Sequence, residues 1–87
     1  MEIQIKKPTK EEIEEAKKWG IWEKEVSEFP WEYSDKESCY ILEGKVEVTT
    51  ESGEKVEFGK GDFVVFPQGL RCTWTITEPV RKHFKFG

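Results

Sequence analysis

Reactive side chains are few in this chain. One histidine (His83), two cysteines (Cys39 and Cys72) and two aspartates (Asp35 and Asp62) stand among sixteen glutamates and twelve lysines. A single histidine cannot supply a multi-histidine metal centre. Both aspartates sit in turn-like contexts, so a Ser-His-Asp triad is not expected. The phosphate-cradling, dinucleotide-binding and His-Glu-x-x-His patterns are absent. What remains is a group defined by strand parity. If Glu37 faces the interior, Cys39 and Ile41 do so too; Trp31 shares a face with Tyr33, and Cys72 with Trp74 and Ile76. A carboxylate enclosed by rings loses hydration, its pKa rises, and it becomes suited to general acid/base work near neutral pH.

A cation can join this group. Val80, Phe84 and Phe86 share parity with Lys82, so a register that buries them brings Lys82 inside, where Glu37 is the obvious counter-charge. The alternative register exposes Lys82 and turns His83 inward. Glu37 and Lys82 are therefore the candidate catalytic residues, and Trp31, Tyr33, Glu37, Cys39, Cys72 and Trp74 the candidate ligand contacts. No cofactor is favoured. Were a divalent metal held, Glu37, Cys72 and His83 would be its ligands, but thiols in apolar surroundings more often pack than coordinate.

These residues need strands to carry them. Ile3 and Ile5 suit a short first strand. Thr9, with Glu12 three residues on, reads as a capping box opening a helix over residues 10–18, which Gly20 should stop. From Ile21 onward, short runs rich in β-branched and aromatic residues alternate with turn signals such as Ser34-Asp35-Lys36, Glu51-Ser52-Gly53, Gly59-Lys60-Gly61-Asp62 and Pro67-Gln68-Gly69. About eight short strands at regular spacing imply an all-β antiparallel sandwich or barrel. Breaks are expected between Leu42 and Lys45, and at Glu78-Pro79.

Two stretches carry a resemblance. Glu37 precedes Gly44 in Glu-Ser-Cys-Tyr-Ile-Leu-Glu-Gly, and Gly61-Asp-Phe-Val-Val-Phe-Pro67-Gln-Gly69 follows; their spacing resembles the paired motifs of the cupin barrel. The match covers residues 30–76, with the family's glutamate at Glu37. Trp31, Tyr33 and Cys72 stand at its histidine positions, and Ile76 stands for its asparagine. The resemblance implies a single cupin domain over residues 1–87, an RmlC-like antiparallel jelly-roll barrel with one short N-terminal helix. Trp22, the Phe-x-Trp-x-Tyr run, Gly-Leu-x-Cys-x-Trp and Val-x-Lys-His-Phe further resemble the small cupins of the ureidoglycine-aminohydrolase-like (cupin_3) group. Three of the four family ligands do not match, so a classical metal centre is not implied.

Composition narrows the partners. A net charge of −4 with no basic cluster opposes nucleic-acid binding. Apolar runs of at most four residues are far short of a membrane span, and the start lacks a signal-peptide pattern, so a cytoplasmic location is expected. The chain has no Asn and is rich in Glu and Lys, a thermophile-like balance. A homodimer is expected, with Trp19 and Trp22 and exposed strand edges as interface material. The expected function is binding of a small polar metabolite in the barrel lumen. The alternatives are an aminohydrolase- or isomerase-like enzyme acting on a small nitrogenous or sugar-like metabolite through Glu37, and a structural or interaction domain with a filled lumen.

Overall fold

Two long strands organise the molecule. The computed structural model describes residues 2–87, so Met1, where the expected domain begins, lies outside the described residues. In chain order the elements are β1 (Gln4–Lys6), α1 (Lys10–Ala16), β2 (Gly20–Lys24), β3 (Ser27–Glu32), β4 (Glu37–Thr50), β5 (Lys55–Gly59), β6 (Phe63–Phe66) and β7 (Arg71–Phe86). β4 and β7 run antiparallel along nearly their whole length, from Glu37 opposite Phe86 to Thr50 opposite Cys72. At one end they continue into β1-β6-β4-β7-β2; at the other, β5 flanks β4 and β3 flanks β7. The result is an antiparallel jelly-roll barrel with one short helix.

The breaks expected near Gly44 and at Pro79 are bends instead. Among the described residues seven strands therefore replace the expected eight or so, because β4 and β7 each run through a point where the sequence signals a turn. Register shifts between Ile41 and Val46 mark the irregularity. Gly44 adopts φ 103°, and a Cβ there would lie 2.6 Å from the Cα of Val80. Only glycine permits this crossing. The bulge also exchanges parity: Glu37, Cys39 and Ile41 are buried before it, Val46, Val48 and Thr50 after it. The same face of β4 thus stays inward across the bend.

The core joins both ends. Tyr33, Phe66, Ile41, Ile76, Val46, Val48, Val64 and Cys39 are all less than 2% exposed. Tyr33 stacks on Phe66 with ring centroids 4.8 Å apart, a contact worth about 0.5–1.5 kcal/mol beyond its burial.

The helix begins as its sequence signals and ends earlier. Thr9 Oγ1 accepts from the Glu12 amide at 3.2 Å, and Glu12 Oε1 accepts from the Thr9 amide at 2.9 Å. Lys17 is already the C-cap. Gly20 belongs to β2, where it serves a close approach: a Cβ there would meet the Phe84 ring at 3.0 Å. Ala16 is fully buried, and Trp19 packs on Phe63 at 6.0 Å.

Candidate functional site

β4 and β7 deliver the two charges. Their register sets Glu37 opposite Phe86 and Ile41 opposite Lys82, so both side chains point inward and the lysine stem spans the offset. Lys82 Nζ donates to Glu37 Oε1 at 3.1 Å and to Oε2 at 3.2 Å. Their side chains are 5% and 6% exposed. Of the two registers open to the last strand, the structure adopts the one with Lys82 inside.

Aromatic faces complete the cation's surroundings. Lys82 Nζ lies 4.7 Å from the Trp74 ring centre and 5.0 Å from that of Trp22. The two indoles meet edge-on at 5.9 Å. Trp74 Nε1 donates to Tyr33 Oη at 3.1 Å, which fixes the orientation of its ring. Tyr33 lies beyond the end of β3, yet its backbone is held on both sides: its amide donates to Leu70 O at 2.9 Å, and its carbonyl accepts from Gly69 at 2.7 Å. A chain of contacts thus runs from the Pro67-Gln68-Gly69 turn through Tyr33 and Trp74 to the ammonium.

Burial dominates the protonation of this cluster. It raises the Glu37 carboxyl above its ordinary 4.5, opposed in turn by the Lys82 ammonium and by hydrogen bonding from Lys82 and Tyr33. Tyr33 is pushed well above the usual phenol value by burial first and by the neighbouring Glu37 charge second, so it stays a neutral hydroxyl. Removing two ions from water costs several kcal/mol each, and a buried pair often adds no net stability over apolar residues of similar volume. Cation–π contact returns only about 2 kcal/mol. Stability alone gives no reason for this pair.

A cavity of about 190 Å³ stands over the pair. Tyr33, Trp74, Trp22 and Phe29 wall it, with Phe84 beside them, and Trp31 and Phe86 form its mouth. Both mouth rings are nearly half exposed (47% and 46%), so the cavity opens to solvent between them. A larger depression of about 670 Å³ runs over Glu23–Ser27 and Pro79–Arg81. It contains no buried polar group and is open surface.

Several candidates from the sequence meet here and others do not. Trp31, Tyr33, Glu37, Trp74 and Lys82 all line the cavity; Cys39 and Cys72 do not. Cys39 is fully buried with Sγ directed to Val64 O at 3.6 Å, and burial pushes its thiol up to about 12. Cys72 lies opposite Thr50 at the far end of β7, its thiol raised by burial to about 11. Parity placed both inward correctly, but inward positions on a bent barrel do not all reach one cavity. His83 faces the other side of β7 from Lys82, with Nδ1 buried and unpartnered. Glu37, Cys72 and His83 therefore do not converge, and among the described residues no three His, Cys, Asp or Glu side chains form a metal-binding group.

Trp22, Phe29, Phe84 and Phe86 were missed as site residues. The parity signal was present for Phe84 and Phe86, which share the Lys82 face. Trp22 is half-buried, and β2 pairs with β7 so that it sits opposite Lys82.

The family's glutamate position, its glycine turns and the jelly-roll topology now coincide, and a family model, the EutQ-like cupin domain, matches residues 11–84. The chain belongs to that cupin family. A DUF861 family protein from Thermotoga maritima is 60% identical, with a TM-score of 0.96 over 99% of this chain and all of the other. A putative ethanolamine utilization protein Q from Salmonella typhimurium is 27% identical, with a TM-score of 0.70 over 77% of this cupin. The EutQ protein of Clostridium difficile, at 21% identity and a TM-score of 0.70, shares the fold. The cupin spans about half the length of these two chains (54% and 52%). No curated protein matches it significantly. Among the described residues, no helix is long and apolar enough to cross a membrane.

Proposed function

We propose that this cupin binds a small, uncharged metabolite with a flat or apolar body and one polar group that both donates and accepts hydrogen bonds, without a classical metal centre. The observation that carries the reading is the Glu37–Lys82 pair at the base of an aromatic cavity. The pair is neutral as a unit, so a charged ligand would enter an apolar site without a free counter-charge, at high cost. An amide instead offers a carbonyl to Lys82 and an N–H to Glu37. Size sets a limit as well. A cavity of about 150 Å³ holds benzene, so about 190 Å³ takes a ring with one small substituent.

Benzamide, benzoate and benzylammonium differ chiefly in charge and test this directly. Titration of the protein, followed through the indole N–H signals of Trp22, Trp31 and Trp74 by NMR, is expected to shift with benzamide and not with the two ions. Equal response to all three, or none to benzamide, overturns the reading. Acid/base catalysis at Glu37, of the ureidoglycine-aminohydrolase-like or isomerase-like kind, is the second reading. Burial that raises the Glu37 carboxyl is the observation in its favour. The same spectra would report it, as slow conversion of benzamide to benzoate that is lost in Glu37→Gln.

A further inference from the structure

Lys82 has a second capacity that hydrogen bonding to a ligand does not use. Among the described residues its amine is the one amine in the cavity wall, and neither cysteine reaches the space. The groups around it are those an amine needs in order to react with a carbonyl. A carboxylate bridges Nζ with both oxygens at 3.1 and 3.2 Å, so the ammonium proton has a direct acceptor. Two indole faces hold the nitrogen in place at 4.7 and 5.0 Å. The space above it is walled by rings and small enough to hold an incoming molecule against it.

We propose that Lys82 forms an imine with small aldehydes that enter this cavity, with Glu37 as the proton carrier; the proposal rests on the small-ligand reading above and adds to the same site a ligand class whose carbonyl accepts from Lys82 as an amide's would but donates nothing to Glu37. In the first step the ammonium gives a proton to Glu37 and the free amine adds to the carbonyl carbon. A C–N bond forms, the carbonyl π pair moves to oxygen, and the nitrogen's proton passes to that oxygen, giving a carbinolamine. Glu37 then returns its proton to the carbinolamine hydroxyl, which leaves as water while the nitrogen lone pair forms C=N. The balance is ammonium plus aldehyde to protonated imine plus water, with Glu37 again a carboxylate and no oxidation or reduction. The product keeps one positive charge beside Glu37 and under the indoles, so the electrostatics of the resting pair are preserved. Several exposed lysines also have carboxylate partners, but they lack the enclosure that excludes water from the imine.

The test uses benzaldehyde, which has the shape of benzamide, with cyanoborohydride to reduce the imine to a stable benzylamine. Brief treatment of the intact protein followed by peptide mapping is expected to place one benzyl group per chain on Lys82. Labelling there should exceed that of each of the other eleven lysines by about tenfold or more, as expected for a reactant held in place. Lys82→Arg, which keeps the charge and lacks the nucleophile, should lose the fast phase only, and Glu37→Gln should slow it. Mapping of the unsubstituted protein decides the matter even if either variant folds poorly. Uniform labelling of surface lysines, or an unlabelled Lys82, overturns the proposal. If Lys82 stays unlabelled while benzamide still shifts the indole signals, imine formation alone fails; if benzamide also has no effect, the binding reading fails with it.

Discussion

The two ends of the barrel are built from the same pair of strands and solve opposite problems. At the β3–β5 end, the inward positions of β4 and β7 include Val46, Val48, Trp74 and Ile76, all at most 2% exposed. Phe58 closes over them with an edge contact to Trp74, and Phe66 reaches in from β6, opposite Glu37, to stack on Tyr33 and meet Phe58. That end is close-packed, and each buried apolar side chain contributes about 1.5–3 kcal/mol. At the β2 end, the same two strands present Glu37 and Lys82 inward, beneath an open cavity. Trp74 touches both, packing on one side and facing the ammonium on the other. The difference teaches that one half of the fold is committed to stability, which leaves the other free to keep a buried charge pair and empty volume.

Substitutions can break this contrast. The largest effect should come from the packed core that joins the two ends: Phe66→Ala removes the ring under Tyr33 and beside Phe58 and Trp74. A loss of about 3–5 kcal/mol is expected in urea unfolding. Much less would mean that the core is looser than its contacts indicate.

A comparable loss of about 3–5 kcal/mol at neutral pH is expected for Lys82→Met, which leaves Glu37 without its counter-charge. Its pH dependence carries a sign. The Glu37 carboxyl in the folded protein titrates above its ordinary 4.5, so the native state binds the proton more readily than the unfolded one. Stability from this group is then present at and below 4.5 and falls as pH rises through the folded value. Removing the Lys82 ammonium removes what opposes that rise. Lys82→Met should therefore lose stability more steeply with increasing pH than the parent, measured as urea midpoints from pH 4 to 8. The double substitution Glu37→Leu with Lys82→Met should restore or exceed parental stability while abolishing the benzamide response, since replacing both charges removes the desolvation cost. A double variant as unstable as the single one would place the pair on the stabilising side of the contrast.

The smallest effect on stability should be at the mouth. Trp31→Ala removes a ring that is nearly half exposed and should change stability by no more than about 0.5 kcal/mol. Benzamide affinity should nevertheless fall, measured by the indole shifts of Trp22 and Trp74. Unchanged affinity would remove the mouth from the site.

Much of the fold was legible in the residues. Alternation along Glu37–Ile41 and Cys72–Ile76 marked the inward faces, the glycine spacing marked the turns, and Thr9 with Glu12 marked the start of the helix. The boundaries at Gly44 and Pro79 were not, because turn residues mark a local bend equally well whether a strand ends there or continues through a bulge. The site was legible in half. Glu37, Tyr33, Trp31 and Trp74 follow from parity and motif, whereas the cysteines share the parity and lie outside the cavity.

What this chain determines by itself is local: which residues favour strands, where glycine permits a positive φ, and which side chains share a face. Those properties depend on neighbours within a few positions. Tertiary structure alone decided that Lys82 and not His83 enters the lumen, that Trp22 lies over it, and that the cavity stops short of Cys72. Each of these depends on the pairing of strands separated by dozens of residues, and a shift of one position in that pairing would have reversed the face of every side chain on the last strand.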